Sequence, residues 1–87
     1  MRGAKRLLIP SIRFTVERSP SHVRLDIIDV TGRRVRTVVD APMTRGGHVV
    51  AWDSRNDGGS PVASGVYWAR LIVNGKRVGG KKMVVLR

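Results

Sequence analysis

Residues 22–40 read His22-Val23-Arg24-Leu25-Asp26-Ile27-Ile28-Asp29-Val30-Thr31-Gly32-Arg33-Arg34-Val35-Arg36-Thr37-Val38-Val39-Asp40, and this stretch decides the fold class. Val23, Leu25 and Ile27 alternate with Arg24 and Asp26, the period of two that places one face of a strand in a core and the other toward water. Thr31-Gly32-Arg33 supplies a turn, with Gly32 at the position that needs a positive φ. Apolar residues resume at 34–40. Two β-rich runs joined by so short a turn predict an antiparallel hairpin.

The same pattern extends in both directions. At 12–17, Ile12, Phe14 and Val16 share a face, and Ser19-Pro20-Ser21 ends the run. Residues 41–47 read as a loop. A fourth strand is expected at 47–53, with His48, Val50 and Trp52 on one face. The segment 54–65 is made of turn formers and reads as the longest loop, Gly58-Gly59 supplying reversed φ. A fifth strand is expected at 66–74, with Tyr67, Ala69, Leu71 and Val73 together and Trp68 facing out. Asn74-Gly75 is the strongest hairpin turn in the chain, and a sixth strand at 77–86 returns antiparallel. Short strands spaced by roughly 8–12 residues, without helical periodicity, predict an all-β, Ig-like antiparallel sandwich of about six or seven strands. Trp52, Tyr67, Leu25, Ile27, Val50 and Leu71 are its expected core.

Composition sets limits. Eighty-seven residues support one small core and no cleft between lobes. We read 1–8 as a basic tail or linker and 9–87 as the domain. With Cys at 0, disulfides, thiolate chemistry and cysteine zinc sites are excluded. No apolar run approaches the roughly 18–20 residues of a membrane span. The apolar stretch after Met1–Arg6 is broken by Pro10 and Arg13, so no N-terminal export signal is expected. Lys+Arg 17 against Asp+Glu 6 leaves +11, which points to an anionic partner or surface, or to one basic module of a larger protein.

No constellation reads as catalytic. Asp53, Asp57 and Gly58 match positions one, five and six of a calcium loop, but Arg55 stands at position three and Ser64 at position twelve. The loop is therefore read as turns closed by Asp and Asn side chains. His22 and His48 are too few for zinc; His48 is read as a half-buried side chain. Gly46-Gly47 and Gly79-Gly80 lack the Lys-Ser/Thr and helix of a phosphate loop. No enzyme activity, metal or cofactor is expected. Arg24, Arg34, Arg36, Arg70, Arg77, Lys81 and Lys82 alternate mostly against the core set and form a basic face that suits phosphate backbones. Trp68 is its one outward aromatic, too few for base stacking.

Two groups of residues carry a family resemblance. The first is 23–36, with Asp29-Val30-Thr31-Gly32-Arg33. The second is Gly47–Asp53 with Trp52-Asp53, Asn56-Asp57-Gly58-Gly59, Ser64-Gly65-Val66-Tyr67, and the ending Lys82-Met83-Val84-Val85-Leu86-Arg87. The combination resembles the FlgD-type Ig-like domain, named after the flagellar hook-capping protein, and equally its relatives, the C-terminal sorting domains of type IX secretion. The resemblance implies a non-catalytic module framed by Gly32, Trp52, Asp53, Gly58, Gly65 and Tyr67. It implies a protein partner, either the secretion machinery or a parent or assembly protein, and an extracellular or cell-surface location. Sorting or attachment is the first expectation, with Lys81, Lys82, Met83, Val84, Val85, Leu86 and Arg87 as the segment that export would read. A hook-capping assembly role is the alternative, and a basic nucleic-acid-binding domain the second alternative.

Overall fold

A computed structural model of the chain describes residues 10–87. The expected tail at 1–8, and Ile9 with it, lie outside the described residues. Six strands follow in order: β1 (Ser11–Val16), β2 (Ser21–Ile28), β3 (Arg34–Met43), β4 (Gly46–Ala51), β5 (Gly65–Val73) and β6 (Lys76–Val85). They form two antiparallel sheets, β1-β4 and β3-β2-β5-β6. The all-β sandwich is as the alternation predicts.

β2 sits inside the four-stranded sheet because its inner row carries Val23, Leu25 and Ile27. All three are buried, facing Ile12, Phe14 and Val16 of β1 across the core. β2 pairs with β3 through the 29–33 turn, where Gly32 has φ +87. β5 and β6 meet at a two-residue turn with Asn74 at φ +50 and Gly75 at +80. Both values are positive, which is the turn geometry matching strand twist that Asn-Gly favours.

Several expectations are corrected. Residues 41–43 are strand rather than loop: Ala41 pairs with Val23 and Met43 with Ser21. Pro42 is tolerated there because β3 is an edge strand, where a missing N–H breaks no ladder. The crossing to the second sheet is left to Thr44 and Arg45. Val50 and Leu71 are only partly buried; Leu71 is so because the two strands β1 and β4 do not cover the whole inner face of a four-stranded sheet. Arg36 and Lys81 do not lie on the outer face. Their register partners are the buried Ile27 and Ala69, so both point inward at sheet edges. Of the Gly58-Gly59 pair, Gly59 alone takes a positive φ.

Asp26 is the largest departure from the strand pattern. It faces outward as alternation requires, yet it is buried at 2% exposure. Arg24, Thr37 and Arg70 gather over it, and these neighbours lie on three strands, so no local reading of β2 reveals the burial.

Candidate functional site

The family-motif residues converge on one end of the sandwich, where the 53–62 loop docks against the edge of β3. Trp52 anchors the loop. Its ring is 1% exposed and meets Tyr67 edge-on, with centroids 5.3 Å apart. Its indole N–H donates to the Arg55 carbonyl at 2.9 Å, the partner a buried indole requires. Asp53 Oδ1 accepts from the Arg55 amide at 3.1 Å and from Arg36 Nη1 at 3.0 Å. Asn56 closes the next turn by accepting from the Ser60 amide at 3.0 Å. These are side-chain-to-backbone closures of the kind expected of Asp and Asn in turns.

Asp57 does a different job. Its amide donates to the Val35 carbonyl at 2.9 Å, and its Oδ1 accepts from the Thr37 amide at 3.0 Å. The residue therefore stands in for a neighbouring strand on the open edge of β3, which would otherwise be a template for pairing. Arg34 Nη1 donates to Asp57 Oδ2 at 2.7 Å and to Thr37 Oγ1 at 2.8 Å, and Thr37 Oγ1 donates to Asp26 at 2.9 Å. One chain of hydrogen bonds thus runs from the loop to the centre of the sheet. The Thr37 amide, assisted by Arg34, holds the Asp57 carboxyl below the ordinary aspartate range. Asp29, which accepts from Thr31 Oγ1 and from the Thr31 and Arg33 amides, is lowered chiefly by the Thr31 hydroxyl. A shallow open depression between the two loops is lined by Asp29, Arg33, Asn56 and Asp57 among others. Among the described residues, no group of three or more His, Asp or Glu is placed to hold a metal ion.

Tyr67 is buried, and its hydroxyl donates to the Ala63 carbonyl four residues back at 2.7 Å, the corner arrangement seen in Ig sandwiches. Gly65 opens β5 opposite Val85, and Gly58 lies in the loop tip with an ideal Cβ position 3.4 Å from Asn56 Oδ1. His48 stacks on Phe14 at 5.6 Å and its Nε2 bonds the Thr44 carbonyl.

The segment 81–87 is divided. Met83 and Val85 are core residues, whereas Val84 and Leu86 are exposed. Lys81 Nζ donates to the Ser11 carbonyl at 3.0 Å, joining the two sheets. Arg87 is tied back by its amide to Ser64 Oγ, by Nε to the Val62 carbonyl and by Nη2 to the Ser54 carbonyl. Lys82 faces outward beside Trp68.

The outer face of the four-stranded sheet is more structured than the basic surface the sequence predicts. Arg24 Nε lies 3.1 Å from both oxygens of Asp26, and Arg70 Nη2 is 4.0 Å away. Ile28 is also buried on this face. No local signal in the sequence marks this cluster, because Arg70 comes over Asp26 only through the in-register pairing of β5 with β2.

The sequence pattern of the FlgD Ig-like domain family matches residues 9–75. Among curated proteins, no relative matches. The solved structure of FlgD from P. aeruginosa superposes with a TM-score of 0.64 at 22% identity, covering 83% of this chain and 56% of that chain. At that identity the likeness is one of fold, and this chain spans little more than half the length of that structure. The Trp52-Asp53 loop, whose bonds build the docked edge described above, and the 29–33 turn both fall within the matched residues; the chain belongs to the FlgD Ig-like domain family.

Proposed function

We propose that this domain is a non-catalytic structural module of an assembly protein of the flagellar hook-capping type, working at the cell surface through protein contacts. The observation that carries the reading is the family match over 9–75. The geometry agrees with it: Asp53, Asn56, Asp57 and Tyr67 spend their hydrogen bonds on the frame itself, as a rigid display module requires. An in-frame deletion of the domain in its host tests the reading. Hook assembly and swimming are expected to fail; normal hooks on the deletion strain would sink it.

The sorting reading retains one observation, the exposure of Val84 at 55% and Leu86 at 82% in the C-terminal segment. Deleting 82–87 is not a clean test, because it removes Met83 and Val85 from the core. Val84→Asp with Leu86→Ser leaves the core intact. In a reporter fusion expressed with a type IX system, surface delivery unaffected by that pair would reject export by this segment.

A further inference from the structure

The outer face of the β3-β2-β5-β6 sheet combines three features that its role as a frame does not use. The first is apolar exposure. Trp68 is 40% exposed and Val84 is 55% exposed; they alternate with the buried Tyr67 and Val85, so they share the outer face across neighbouring strands. The second is a notch. Trp68 lies opposite Lys82, Arg70 opposite Gly80 and Ile72 opposite Arg77, so the row of β6 side chains is interrupted beside Arg70, where glycine contributes none. Gly80 leaves the notch open by having no side chain, and a Cβ there would make a tight 3.1 Å contact with the Ala69 carbonyl. The third is positive charge in excess of its acidic partner. Arg24 and Arg70 share the one buried Asp26 carboxylate, at 3.1 Å and 4.0 Å, and the Arg70 side chain is still 36% exposed. Lys82 and Arg77 form no ion pair with Asp or Glu among the described residues.

We propose that this face docks an acidic, partly apolar protein segment, which sets a carboxylate against the Arg70 guanidinium in the Gly80 notch and an apolar side chain against Trp68 and Val84. Trp and Arg are the residue types that dominate binding energy at protein interfaces, and complementary charge selects the partner and speeds encounter. A second copy of this chain is a poor occupant, because two chains carrying +11 each repel. Nucleic acid is a poorer fit than protein, because a phosphate backbone makes no use of exposed Val84 and one aromatic makes no stacking platform. The proposal rests on the reading of the domain as an assembly module and names the surface that module uses.

The test is a selection from a random peptide library on the whole chain, counter-selected with the double variant Trp68→Ala, Lys82→Glu. Both sites are exposed, and the thermal midpoint of the variant verifies its fold. Enriched peptides are expected to carry Asp or Glu spaced from an aromatic or aliphatic residue. A synthetic enriched peptide should lose about tenfold or more in affinity on Trp68→Ala and weaken as salt rises from about 50 to 200 mM. The proposal is overturned if enrichment shows no acidic bias, if enriched peptides bind the double variant as well as the parent, or if short single-stranded DNA binds the face more tightly than they do. The selection is independent of the host deletion. A failed selection with hooks still lost on deletion moves the contact to another face; a successful one with normal hooks removes the flagellar role and keeps the docking surface.

Discussion

Truncating Trp52 measures how much of the domain hangs on one ring. Burial of a large aromatic removes up to roughly 250 Å² from water, worth about 6 kcal/mol at ~25 cal/mol per Å². Measured truncations of core aromatics to Ala run lower, at about 3–5 kcal/mol, because part of the surface remains covered and the site relaxes. The indole hydrogen bond adds little, about 1 kcal/mol or less, since the Arg55 carbonyl still accepts from Arg36 Nη1 at 3.2 Å. A domain of 87 residues has about 4–13 kcal/mol of net stability at ~0.05–0.15 kcal/mol per residue. Trp52→Ala should therefore lower the thermal midpoint by at least ~12 °C or leave the chain unfolded. Trp52→Phe keeps the contact with Tyr67 and should cost about 1–2 kcal/mol. Urea titrations followed by circular dichroism give both values. A Trp52→Ala protein with an unchanged midpoint would refute the placement of the ring at the centre of the core.

Tyr67→Phe removes only the bond to the Ala63 carbonyl and should cost about 1 kcal/mol by the same titration; a neutral result would mean that water replaces the hydroxyl. Lys81→Ile replaces the inward-pointing cation of an edge strand, a device that blocks pairing, so concentration-dependent dimers or aggregates are expected in size-exclusion chromatography, and a strictly monomeric variant would contradict that role. For Asp57 and Asp29 the folded carboxyl titrates below its unfolded value; their stabilisation is present above the unfolded value near about 4 and is lost as pH falls through the lower folded value. Asp57→Asn should accordingly flatten the acid limb of a stability-against-pH curve below about pH 4, and an unaltered limb would show that the Thr37 contact does not persist in solution.

Local chemistry determined most of the architecture. Alternation at 22–40, the Asn74-Gly75 turn and Gly32 each specify conformation within a few residues, and the physical causes act at that range: side chains alternate by strand geometry, and a positive φ selects Gly or Asn. The identity of Trp52 and Tyr67 as core anchors was legible for the same reason. What only the tertiary structure decided depends on residues far apart in the chain. Asp57 is a turn residue by sequence and becomes an edge strand substitute only when the loop meets Val35 and Thr37. Lys81 is one cation in a basic run until β6 places it beside Ser11 across the sandwich. Asp26 reads as a solvated outward residue, and it is buried because Arg24, Thr37 and Arg70 are brought over it from β2, β3 and β5. Burial of a polar group is a property of its neighbours in space, and strand order, which sets those neighbours, is not written in the period of any single strand.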